Sequence, residues 1–83
     1  MMAMRAADWS SRVDPLIDRY RRLVPLIGQD DATLAMSAVG QMIAAVEKAK
    51  LAQSNASVAI AEDAIVQAGR LLEAVGDRSQ ARS

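Results

Sequence analysis

The sequence predicts an all-α protein, either a three-helix bundle or a helical hairpin with a long C-terminal helix. Two observations lead there. From Asp30 to Gly76 Pro is absent, Gly appears only at Gly40, Gly69 and Gly76, and helix formers such as Ala, Leu, Met, Glu, Lys and Gln dominate. Across the same stretch apolar residues recur at intervals of three and four. The expected helices cover about 9–24, 31–53 and 57–76 within one domain, residues 9–76. Residues 1–8 form a short N-terminal tail that frays or extends the first helix, and 77–83 a polar, disordered C-terminal one.

For the first helix, Asp14-Pro15 is a start signal, with Asp as N-cap and Pro where its missing N–H costs nothing. Trp9 and Ser10 begin the helix earlier if Asp8 is the cap. Val13, Leu16, Ile17, Tyr20, Leu23, Val24 and Ile27 fall on one face. Pro25 disfavours helical geometry at Val24, and Gly28 is a natural terminator. Asp30 or Asp31 is expected to cap the second helix, where acidic groups suit the positive end of the dipole.

In the second helix Ala35, Val39, Met42, Val46 and Ala49 make one apolar line, flanked by Met36 and Ile43 on one side and Ala38, Ala45 and Ala52 on the other. In the third, Val58, Ala61, Ile65, Ala68, Leu72 and Val75 form a heptad seam. A second seam runs beside it through Ile60, Ala64, Gln67, Leu71 and Ala74. A surface helix usually carries one apolar stripe, so two adjoining stripes imply two neighbours.

Between these helices, Gln53-Ser54-Asn55-Ala56-Ser57 reads two ways. Its polar residues favour a turn, with Asn55 left-handed and Ser57 capping a new helix. The absence of Gly and Pro from Gln41 to Ala68 favours instead one helix of about 45 residues, ~68 Å long. The Val58 seam extrapolates back through Ser54 and Leu51 rather than Val46 and Met42, which favours the turn and three helices.

Composition narrows the function classes. The chain has 83 residues, a formal net charge of zero and no Cys. Domains this small bury only about 60% of their unfolded surface. Seventeen residues are Ala, whose methyl contributes little burial, and Phe is absent. With no disulfide available, self-association or a partner would help such a core. The apolar runs are far shorter than the ~20 residues of a membrane span, and no secretory signal is visible. Cytoplasmic location is the default, and export without a cleaved signal is compatible with the sequence.

The chemical inventory is thin. Lacking His and Cys, the chain offers none of the usual zinc, haem or thiol ligands and nucleophiles. Asp8, Asp14 and Asp18 read as caps and solvent-facing charges, Lys48 and Lys50 have no fixed Ser partner, and no Gly-rich phosphate loop exists. No catalytic residue, cofactor or metal is expected, and the protein is not expected to be an enzyme. Arg19, Arg21 and Arg22 form the one basic stripe, with Arg5 and Arg12 upstream. Residues 1–28 carry net +2 and residues 29–62 net −2, a polarity suited to antiparallel docking of the first helix on the second. The stripe is also the candidate nucleic-acid contact. However, Asp14 and Asp18 share its side and no aromatic interleaves, so a solvated face is the favoured reading.

Asp8-Trp9-Ser10, the Asp30-Asp31 turn, Ala52-Gln53-Ser54-Asn55 and Asp63-Ala64-Ile65-Val66-Gln67 look like pieces of the pattern of type III secretion needle subunits, and cover about a fifth of the chain. The first helix is short, the turn lacks that family's usual Pro, and Leu71–Ser83 extends beyond where such subunits end. The resemblance, shared with rod-type export subunits, implies a secreted, polymerising subunit with Gln53-Ser54-Asn55 inside a long helix.

The sequence therefore points to a non-catalytic interaction or structural subunit that self-assembles or binds a partner helix. The expected partner-binding residues are Val39, Ile43, Val46, Ile60, Ala64, Gln67 and Leu71. The alternatives are a small DNA-binding regulator using the arginine stripe, and a chaperone or adaptor holding another protein's helix.

Overall fold

A computed structural model describes residues 6–82, and side chains for residues 9–80. Among these residues the chain forms three helices and no strand. They are α1 (Ala6–Leu23), α2 (Gln29–Ala52) and α3 (Asn55–Arg82), with a single 3₁₀ turn, Val24–Leu26, between α1 and α2. The helices alternate in direction and make a rod of 46 × 18 × 15 Å. At 1.5 Å per residue, α3 alone is about 42 Å and spans most of that length. The three-helix reading holds.

The core lies where the sequence rows place it. Ala35, Val39, Met42, Val46 and Ala49 of α2 meet Ala61, Ile65, Ala68, Leu72 and Val75 of α3, and all ten are buried. Trp9 and Val13 of α1 close this core, with Leu16, Ile17, Tyr20 and Leu23 packed against it.

Four boundaries differ from expectation. Helix α1 starts at Ala6, so Asp14-Pro15 is not its start and Pro15 lies inside it. An interior Pro costs ~3 kcal/mol. Extending the helix buries Trp9, whose ~200 Å² at ~25 cal/mol per Å² is worth up to ~5 kcal/mol, so the extension wins. Of the expected N-terminal tail, residues 1–5 lie outside the described residues, and those from Ala6 on are helical.

At the other end, α3 continues to Arg82 instead of dissolving after Gly76. The Arg78 guanidinium bonds Asp31 of α2 at 2.8 Å, and the Ser79 hydroxyl donates to the Leu26 carbonyl at 3.4 Å. These tertiary ties lie beyond the reach of local propensity. The N-cap of α2 is Gly28, without a side-chain cap, and Asp30 and Asp31 occupy the first turn.

The α2–α3 break falls at Gln53-Ser54, and the cap of α3 is three residues earlier than the one expected at Ser57. Gln53, rather than Asn55, is left-handed (φ 54°, ψ 26°), and its N–H closes α2 on the Ala49 carbonyl at 2.9 Å. Ser54 then caps α3 in a reciprocal pair with Ser57. The Ser57 N–H donates to Ser54 Oγ at 3.1 Å, and the Ser54 N–H donates to Ser57 Oγ at 3.2 Å. This is the capping-box exchange with Ser in place of the usual Glu or Gln. Capping from Ser57 would have put Ile60 at the third helical position, where it has nothing to return. The unbroken helix implied by the needle-subunit resemblance is not formed here.

Candidate helix-docking surface

Helix α1 covers one flank of α3. Leu16 Cδ2 lies 3.7 Å from where a Cβ on Gly69 would stand, and Leu23 Cδ2 the same distance from one on Gly76. Arg12, whose guanidinium lies 5.9 Å from the centre of the Trp9 ring, reaches Glu62 at 3.4 Å. Glu62, Gly69 and Gly76 are spaced by seven, so they share one row, and its glycines admit α1 closely. The Arg12 pair joins α1 to α3, whereas the charge polarity along the chain suggested docking of α1 on α2.

The opposite flank of α3 carries the second seam, and it faces solvent. Ile60 is 60% exposed, Gln67 and Ala74 are exposed, and Ala64 and Leu71 are half-buried. On the same side of α2, Leu34 is 51% exposed, Gln41 is exposed, and Ala38 and Ala45 are half-buried. The two-residue turn and the Arg78–Asp31 bond fix the antiparallel register. Ile60 lies level with Lys48, Ala64 with Ala45, Gln67 with Gln41, Leu71 with Ala38, and Ala74 with Leu34. The polar middle layer keeps local bonds, with Gln67 Nε2 donating to Asp63 at 2.8 Å and Gln41 Nε2 meeting Ser37 Oγ at 3.5 Å.

The expected partner-binding residues therefore divide. Ile60, Ala64, Gln67 and Leu71 lie together on this back face of the α2–α3 hairpin. Val39 and Val46 do not belong to it: at 5% and 4% exposure they are consumed by the chain's own core. Ile43, 40% exposed, stands on the other side of α2, where α1 incompletely covers it. There it rims a hollow of about 170 Å³ with Trp9, Val13, Ile17 and Lys50. Ligand pockets usually run from ~300 Å³ upward, so this hollow is small for one. Leu34, unmarked in the sequence reading, completes the back face. Its signal was its position seven residues before Gln41 on the same row.

Ion pairs join Arg12 to Glu62, Arg22 to Asp18, Lys50 to Glu47 and Arg78 to Asp31. Arg19, Arg21 and Arg22 lie exposed near the end of α1, and Arg22 pairs with Asp18 one turn back. A second hollow, about 330 Å³, is lined by Gly28, Gln29, Asp30, Asp31 and Arg78. The hydrogen bond to Asp31, and then its negative charge, raise the Arg78 pKa further above its already high ordinary value. Among the described residues no three acidic, His or Cys groups gather to hold a metal. Among the described residues no helix is long and apolar enough to cross a membrane.

No protein-family model matches this chain, and neither a curated protein nor a solved structure matches it significantly.

Proposed function

We propose that the protein is a non-catalytic helical subunit that works by packing its α2–α3 back face against another helical surface. The observation that carries this reading is the outward-facing seam on α3, where Ile60, Ala64 and Leu71 continue a regular apolar row on the flank that α1 leaves open. A solvent-exposed Ile60 at one end of the face and a solvent-exposed Leu34 at the other are surface that association would remove from water. Met36, Leu51 and Val66 are also exposed, which suits a subunit with several neighbours, as in a secretion needle or rod. That assembly, with the export it entails, is the more specific form of the proposal. The arginine stripe supports the DNA-binding alternative less well, because Arg22 is already engaged by Asp18.

Light scattering on the purified chain, together with its native mass in extracts of the source cells, tests the reading. A homo-oligomer, or a stoichiometric complex that Ile60→Glu dissolves, is the expected result. A bare 8.9 kDa chain in both settings overturns it.

A further inference from the structure

We infer that the occupant of the back face is a second copy of this chain, docked face to face so that two α2–α3 hairpins form a four-helix core. The inference rests on the packing-subunit reading above and names its partner. The face is self-complementary in size. Counted in layers, it runs Lys48·Ile60, Ala45·Ala64, Gln41·Gln67, Ala38·Leu71 and Leu34·Ala74. A two-fold axis along the helices sets Leu71 opposite Ala38 of the copy, Leu34 opposite Ala74, and Gln41 opposite Gln67. A two-fold axis across the helices, through the glutamine layer, sets Leu71 opposite Ala64 and Ile60 opposite Ala74. Either way Leu71 and one further large apolar side chain meet alanines and the two amide layers meet each other, as an isologous interface needs, while at one end layer Ile60 or Leu34 lies against the aliphatic stem of the copy's Lys48. Paired alanines let helix axes approach closely at the remaining layers.

Charge favours the same occupant. The four layers from Ala45·Ala64 to Leu34·Ala74 contain no charged residue, so a strongly acidic or basic partner finds no complement there. Charges of both signs border the face: Asp30 and Lys48 at the ends of its α2 row, Arg78 at the C-terminal end of its α3 row, and Asp63 along the outer side of that row. A neutral face with mixed edges tolerates its own copy without like-charge opposition.

Area sets the strength. From Asp31·Arg78 to Lys48·Ile60 the face is about 26 Å long, at 1.5 Å per residue. It is at most the 18 Å of the rod wide. That caps the footprint at roughly 470 Å² per copy, or a little over 900 Å² in all. Specific interfaces start near ~1,000 Å², so the dimer is expected to be weak and concentration-dependent, dissociating at roughly micromolar to 100 µM protein.

Sedimentation of the full chain from about 5 to 500 µM tests this, using variants at exposed positions that do not carry the fold. Wild type should pass from monomer to dimer over that range. Gln67→Lys and Gln41→Lys, each placing a charge in the central layer, should weaken association at least tenfold while leaving the circular dichroism unchanged. Val66→Lys and Leu51→Lys, outside the face, should leave it unaffected. A wild-type monomer at 500 µM overturns the inference, as does association abolished by Val66→Lys or Leu51→Lys but not by Gln67→Lys. The packing-subunit reading fails separately: a chain monomeric in the centrifuge that still enters a cellular complex dissolved by Ile60→Glu loses only the second copy as its partner.

Discussion

Replacing Ser54 by Ala should destabilise the protein by ~1–1.5 kcal/mol, and the hydrogen bonds at the turn show why. Ser57 Oγ accepts from the Ser54 N–H at 3.2 Å and from the Ser54 hydroxyl at 3.0 Å, and donates to the Ser54 carbonyl at 2.9 Å. Ser54 Oγ accepts from the Ser57 N–H at 3.1 Å. Each hydroxyl therefore spends its single proton once, Ser57 uses both lone pairs, and no donor is counted twice. Ser54→Ala removes the acceptor of the Ser57 N–H, an orphan amide of the first turn, and takes one acceptance from a buried Ser57. Loss of an N-cap hydroxyl typically costs ~1 kcal/mol. Ser57→Ala should cost less, ~0.5–1 kcal/mol, because a methyl suits its buried site and the Ser54 N–H is left for water. The hydroxyl–hydroxyl bond is lost in both single variants, so the double variant should cost ~0.5 kcal/mol less than their sum. Urea unfolding monitored by circular dichroism measures all three. For a domain of this size ~1 kcal/mol also appears as a fall of ~4–8 °C in Tm. If Ser54→Ala costs under ~0.3 kcal/mol and the two effects add, the reciprocal serine pair does not hold the break between α2 and α3.

Two stabilising substitutions follow from positions where helix chemistry and the surroundings disagree. Gly40 is exposed in mid-α2, a Cβ there meets nothing within 4 Å, and its φ is an ordinary helical one. Gly40→Ala should raise stability by ~1 kcal/mol in thermal or urea unfolding, and no gain would mean that α2 bends or frays there. Pro15→Ala, at an exposed site inside α1, should add ~2 kcal/mol, being the ~3 kcal/mol interior penalty less the ~1 kcal/mol that Pro's stiffness contributes through the unfolded chain. A destabilised Pro15→Ala protein would show that α1 needs the irregularity.

Much of the architecture was legible because two rows carry it. The Ala35–Ala49 line and the Val58–Val75 seam become the core as spaced, since a helix of this composition has one way to bury a regular stripe. The turn was legible only in part. Polarity located it to within two residues, yet the choice between Ser54 and Ser57 as cap depended on a reciprocal bond between two serines. The end of α3 was not legible at all, because Arg78 finds Asp31 forty-seven residues away. The interaction residues show the sharpest limit. Val46 and Ile60 are equally apolar and equally periodic, but whether a stripe meets a neighbour in its own chain is settled by which flank α1 takes. The seven-residue row of Glu62, Gly69 and Gly76 was the missed clue to that flank, since small residues mark where another helix lies close.

An odd number of alternating helices carries the two ends of the folded segment to opposite poles of the rod. Ala6 starts beside the Gln53–Ser54 turn, and Arg82 finishes near Leu26, most of the 46 Å axis away. Anything attached at one pole is thus held clear of anything attached at the other, and the long sides of the rod stay unobstructed.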